Sequence, residues 1–114
     1  MIVSIASDHA GFKLKEIVIS HLKALKIEVI DNGPKSDESV DYPDFAKKVV
    51  DDLKGSCANK GILICGSGQG MAMSANKHTG IRAALCHNLE VTKLARAHND
   101  ANILTLGARV LDQE

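Results

Sequence analysis

Gly66-Ser67-Gly68-Gln69-Gly70 directly follows the apolar run Gly61-Ile62-Leu63-Ile64-Cys65. Glycines let the backbone turn sharply and bring several N–H groups toward one point. If a helix begins there, the partial positive charge of its first turn adds to those donors, and the loop becomes an anion site. The spacing is G-x-G-x-G, so it is neither the dinucleotide fingerprint nor a P-loop, which needs Lys-Ser/Thr after its last glycine. A tight strand-to-helix turn without a ligand accounts for the same residues. Cys65 stands just before the loop. A thiol beside a helix N-terminus ionises more readily than a free one, which makes Cys65 a candidate nucleophile, redox thiol or carbon base. Cysteine is also a common small buried hydrophobe, and that reading stays open. Ser67 lacks the pattern of a nucleophile elbow.

Other candidates are spread along the chain. His9 follows Asp8 at the end of an apolar run; the imidazole can bind phosphate or carry a proton near neutral pH, and Asp8 can orient it, bind sugar hydroxyls or cap a helix. His98, followed by Asn99 and Asp100, falls on the apolar stripe of a helix near its C-terminus, where a positive ring is also favoured for structural reasons. His21 reads as a surface or boundary residue, and His78 and His87 lie in connections. Cys57 and Cys86 have no adjacent glycine loop and read as structural or incidental.

The elements that must position these groups follow from hydrophobic periodicity. Ile2-Val3-Ser4-Ile5-Ala6 suits a buried strand. Leu14, Ile17, Val18, Leu22 and Leu25 recur at helical spacing, with Lys13, Lys15, Glu16 and Lys23 between them. Ile27-Glu28-Val29-Ile30-Asp31 is a second strand, closed by Asn32-Gly33-Pro34. Residues 35–42 read as a loop. Pro43 and Asp44 open a helix carried by Phe45, Val49, Val50 and Leu53, which Gly55 ends. Residues 61–65 form a third strand, followed by the glycine loop and a helix to about residue 77. Residues 81–86 form a fourth strand; Asn88 caps a helix with Val91, Leu94, Ala95 and His98 on one face; Ala101 to Leu106 is the fifth strand. This alternation predicts an α/β fold, a three-layer αβα sandwich around a five-stranded parallel Rossmann-like sheet. In such sheets ligands sit at the carboxyl ends of strands, here marked by Asp8-His9, Cys65-Gly66-Ser67, Cys86-His87 and Gly107-Ala108-Arg109. His98, at a helix C-terminus, belongs to the opposite edge. It reaches a site at Cys65 only through an unusual bend or from a second subunit.

Composition narrows the classes. The chain has 114 residues, which suits one domain. Fourteen basic residues balance fourteen acidic ones, so no global field draws nucleic acid or an anionic membrane. With no Trp, one Tyr and two Phe there is no base-stacking platform. No apolar run approaches a membrane span, and the apolar start lacks a basic leader. Three cysteines without a Cys-x-x-Cys argue against a disulfide framework or structural zinc and point to a reducing cytoplasm. No group of His, Cys and acids has metal-ligand spacing, so no metal is expected.

Several blocks together resemble ribose-5-phosphate isomerase B: Ser7-Asp8-His9-Ala10-Gly11-Phe12, Asp41-Tyr42-Pro43-Asp44, Gly61 through Gly68, Ala75-Asn76-Lys77 with Gly80-Ile81-Arg82-Ala83, and Arg96 through Asn102. They run from residue 2 to about residue 110 in family order. The resemblance implies reversible conversion of ribose 5-phosphate to ribulose 5-phosphate through an enediolate, without metal or cofactor. It implies that His98 helps open the sugar ring with Asp8 at the sugar, and that Cys65 moves a proton between C2 and C1. The amides of Gly66, Gly68, Gln69 and Gly70, with Asn99, would hold the oxyanion; Ser67 would bond the sugar or intermediate; His9 and Arg109 would bind phosphate. Some members use a glutamate base in the loop-helix region, where this chain has Met71-Ala72-Met73. The family is dimeric, with sites built from both subunits, which fits the placement of His98.

The chain departs from the family at its end. Members usually continue past Leu111-Asp112-Gln113-Glu114 with a C-terminal helix and further arginines, whereas Arg82, Arg96 and Arg109 are the only arginines here. The expectation is a single sugar-phosphate isomerase domain over residues 1–114 that lacks this helix and has weakened phosphate affinity. The alternatives are a galactose-6-phosphate or other aldose-phosphate isomerase, a truncated sugar-phosphate-binding protein without catalysis, and a thiol-redox protein using Cys65.

Overall fold

Ile2–Ser7 and Lys60–Cys65 are apolar over almost their whole length, which suits strands covered on both faces. In the computed structural model, which describes residues 1–111, they are the central neighbours β1 and β3 of a five-stranded sheet. The other strands are β2 (Glu28–Asp31), β4 (Ala83–Leu85) and β5 (Ile103–Gly107). The spatial order is β2-β1-β3-β5-β4, and every pairing is parallel. The helices are α1 (Phe12–Ala24), α2 (Tyr42–Lys54), α3 (Gln69–Asn76) and α4 (Leu89–Asn99). The predicted αβα sandwich is therefore present. None of its helices is long and apolar enough to cross a membrane, among the described residues. The chain end that the sequence reading expected to lack a helix, Asp112 to Glu114, lies outside them.

Two apolar layers hold the helices to the sheet. Ala46, Val49 and Val50 of α2 and Met71 and Ala75 of α3 pack on Ala6, Leu63 and Ile103. On the other face Leu14, Val18, Ile19 and Leu22 of α1 cover Val3, Ile5, Ile62 and Ile64, while Val91 and Ala95 of α4 pack on Ala84 and Leu104. Burying one large aliphatic side chain contributes roughly 1.5–3 kcal/mol, so these layers dominate stability. The chain leaves β1 toward β2 on one side and returns through α2 to β3 on the other. The strand order thus reverses between β1 and β3, and a crevice opens at their carboxyl ends.

Several expected boundaries and faces differ. The second strand starts at Glu28 rather than Ile27, and the third at Lys60 rather than Gly61. The fourth is shorter than 81–86, and side chains bind the backbone around it. Asn76 pairs with Ala83 through both halves of its amide, at 2.8 and 2.9 Å, and Asn102 Oδ1 accepts the Arg82 N–H. The fifth strand runs Ile103–Gly107 and not from Ala101. Ile17 of α1 and Leu25 just after it are exposed, and Lys15, which the pattern put among the polar residues, is fully buried. Its ammonium lies 3.0 Å from both Asp31 Oδ1 and Glu16 Oε1. In α4, Val91 and Ala95 face inward, but Leu94 and His98 face solvent.

Candidate active site

The glycine loop is shorter than its sequence suggests. α3 already begins at Gln69, so Gln69 and Gly70 form its first turn, and the loop proper is Gly66-Ser67-Gly68. Gly68 caps the helix with φ +82°, a left-handed conformation that glycine adopts without penalty. This turn aims the Gly68 N–H at Cys65 Sγ, 3.2 Å away. Cys65 is buried, and its sulfur ends β3 under the first turn of α3. The Ser67 hydroxyl accepts the Gln69 N–H at 3.2 Å.

Asp8 directly follows β1, and Cys65 ends the neighbouring strand β3. The Asp8 N–H donates to Ile64 C=O, which locks the two strand ends together. One carboxylate oxygen, Oδ1, accepts the Gly11 N–H and caps a 3-10 turn, His9–Gly11; Oδ2 is not used in that cap. The capping role and the cleft position therefore coexist in one residue. His9 Nδ1 accepts the Val40 N–H at 3.4 Å, so in the neutral ring the proton sits on Nε2, which is then a donor. Arg109 follows β5. Its backbone N–H binds Gly66 C=O, and its guanidinium lies over Gly66, with Nη1 3.2 Å from where a Cβ would stand. Among the described residues Arg109 makes no ion pair with a carboxylate, so its charge is available to an anion.

Asp8, Cys65, Gly66, Ser67, Gly70 and Arg109 thus share one open cleft of about 360 Å³, within the roughly 300–1,000 Å³ of small-ligand sites. Gly68 and Gln69 flank it, and His9 lies beside Asp8. Tyr42 and Val110 also line it, and the sequence reading did not place either there. For Tyr42 the available signal was its position next to Pro43 at the start of a helix whose N-terminus must lie at the carboxyl edge of the sheet. A more apolar groove, lined by Val3, Ile62, Ala95 and Leu104, lies on the sheet beside α4 and contains none of these groups.

His98 and Asn99 are not brought to the cleft. α4 runs antiparallel to the strands, so its C-terminal end lies at their amino ends. There Asn99 C=O accepts Arg82 Nε–H at 2.6 Å, just before β4. Both residues are exposed on the opposite edge from Cys65. No three His, Cys, Asp or Glu gather as a metal-binding group among the described residues.

The arrangement can hold an anion against Arg109 and the loop amides, and it presents a thiol beside a hydroxyl and a carboxylate. Comparison with known proteins agrees with that chemistry. The family model described as Ribose/Galactose Isomerase matches residues 3–114. Ribose-5-phosphate isomerase B of Escherichia coli is 43% identical over 112 residues, which are 98% of this chain and 75% of that protein. The structure of Clostridium thermocellum ribose-5-phosphate isomerase B superposes with a TM-score of 0.98 at 49% identity, covering 99% of this chain and 76% of that one. The structure of the Mycoplasma genitalium ribose-5-phosphate isomerase B, with bound ribulose-5-phosphate, gives 0.92 at 46% identity, covering 98% and 75%. With the family model matching nearly its whole length and these relatives at 43–49% identity, the chain belongs to the ribose/galactose isomerase family.

Proposed function

We propose that this chain interconverts ribose 5-phosphate and ribulose 5-phosphate, as an aldose-ketose isomerase of the pentose phosphate pathway. The single observation that carries the reading is Cys65 at the switch point of the sheet, with an amide on its sulfur and Asp8, Ser67 and Arg109 around the same cleft. Relatives named for this reaction, one of them holding ribulose-5-phosphate, support the substrate.

In this reading Arg109 and the Nε2 donor of His9 hold the phosphate. Cys65, as thiolate, takes the proton from C2 of the open-chain aldose and returns it to C1, while a proton moves from O2 to O1. The enediolate oxygen is held by amides of the Gly66–Gly70 stretch, the kind of preorganised donor whose loss raises a barrier by about 2.7–4 kcal/mol. Ser67 bonds the sugar, and Asp8 orients a hydroxyl. His98 opens the ring and Asn99 binds the oxyanion, both supplied by a second copy of the chain, because α4 carries them away from the cleft of their own copy. The active species is therefore a homodimer with shared sites, and residues 1–114 act as one isomerase domain. The charge balance and the free cysteines support a cytoplasmic enzyme without nucleic-acid or membrane partners.

The test is an isomerase assay on ribose 5-phosphate beside Cys65→Ala. Removing a positioned base is expected to lower kcat by about 10²–10⁴-fold or more. Full activity in Cys65→Ala would remove the cysteine base, and no activity in the parent would remove the isomerase reading.

A further inference from the structure

Among the residues that line the cleft, Tyr42 carries the one polar side chain that the mechanism above does not use. It is the first residue of α2, followed by Pro43, and α2 is anchored to the sheet by Ala46, Val49 and Val50. Its ring therefore projects from a rigid element. The ring lies on Gly70, in the first turn of α3. A Cβ at Gly70 would stand 2.9 Å from Cε1 and Cζ and 3.3 Å from the hydroxyl, so only glycine admits the ring at this distance. Tyr42 thus walls the cleft at Gly70, in the first turn of α3, while Arg109 covers it at Gly66, where the loop begins. Among the described residues the phenol hydroxyl has no hydrogen-bond partner, although Asp8, Cys65 and Ser67 line the same cleft. A large aromatic with a free polar tip, set in the same cleft as the thiol, meets a ligand with both its face and its hydroxyl.

We propose that Tyr42 contacts the substrate directly: its hydroxyl hydrogen-bonds a hydroxyl of the open-chain sugar phosphate, and its ring is the wall that limits sugar length. This rests on the isomerase reading above. With the phosphate held at Arg109 and the reacting carbon at Cys65, one extra carbon between them must bulge toward a wall of the cleft, and the Tyr42 ring is the large side chain of that wall. Sites that bond a substrate hydroxyl discriminate through that bond, and a steric wall sets length.

The chain supplies its own probe. It contains one tyrosine and no tryptophan, so tyrosine emission reports on Tyr42 alone. Ribose 5-phosphate titrated into Cys65→Ala is expected to change that emission in step with heat uptake or release in calorimetry, whereas inorganic phosphate changes it far less. Heat of binding with unchanged emission overturns the proposal; no binding at all removes the isomerase reading and the proposal with it. In turnover, Tyr42→Phe is expected to keep the parent melting temperature and lose about tenfold in kcat/KM, the worth of one hydrogen bond. Inhibition by inorganic phosphate should stay as in the parent. Tyr42→Ala is expected to raise the ratio of kcat/KM for a hexose 6-phosphate over ribose 5-phosphate at least tenfold. A Tyr42→Phe enzyme within twofold of an active parent, together with an unchanged ratio in Tyr42→Ala, overturns the role while leaving the isomerase intact.

Discussion

At Gly68 the backbone takes φ +82°, and its N–H meets Cys65 Sγ at 3.2 Å. An alanine there adds about 1–2 kcal/mol of left-handed backbone strain. It also brings a Cβ to 2.5 Å from Leu85 Cδ1 and 3.0 Å from the Leu106 carbonyl carbon, so β5 must shift. Gly80 is the natural control, with φ +82° and nothing within 4 Å of an added Cβ. Gly80→Ala should lose only the conformational part and stay active, whereas Gly68→Ala should be less stable than that and lose most of its isomerase rate. Equal melting temperatures and rates for the two would show that the loop does not hold Cys65 in the way described. The residues of this loop were legible in the sequence because glycine spacing and the strand-helix boundary both have local causes. Tyr42 was not, since its place depends on how α2 packs against α3, a contact between segments far apart in the chain.

Element by element, strand and helix types were readable from periodicity, while faces and ends were less so. Lys15 shows why. A lysine among Lys13 and Glu16 reads as solvent-facing, but Asp31 at the end of β2 accepts its ammonium, and Phe12 lies 5.2 Å from it. Only the pairing of α1 with β2 makes burial possible, and periodicity does not contain that pairing. The Lys15 side chain is 1% exposed and that of Asp31 44%, so the two halves of the pair are not equivalent. Asp31→Ala leaves a buried ammonium with only Glu16, and is expected to cost about 3 kcal/mol, the lower end of values for breaking a buried pair. Lys15→Met leaves a carboxylate that water reaches, and should cost less. Urea unfolding of both variants measures this; a Lys15→Met protein less stable than Asp31→Ala would contradict the assignment. Asp31 Oδ1 also accepts the Gly33 N–H, and Gly33 C=O accepts the Ser7 N–H, so the pair braces the strand end that carries Asp8.

For the molecule as a whole, one sheet explains both what is assembled and what is missing. The order β2-β1-β3-β5-β4 gathers Asp8, Cys65 and Arg109 at one edge, and the antiparallel course of α4 sends His98 and Asn99 to the other. The sequence made this conflict visible, because alternation alone puts helix C-termini opposite strand C-termini, although strand order itself could not be read from it. In the proposed homodimer a second copy resolves the conflict, since two-fold pairing would let each copy give one half of each site. The most direct measurement is subunit complementation. Cys65→Ala and His98→Ala are prepared separately, shown to be inactive, mixed in equal amounts and allowed to exchange subunits. Random pairing makes half of the dimers mixed, and each mixed dimer has one site with both residues intact, so about a quarter of the parent activity should return. A mixture that exchanges subunits yet is no more active than its two components would show that Cys65 and His98 do not meet across copies, and would contradict the shared site.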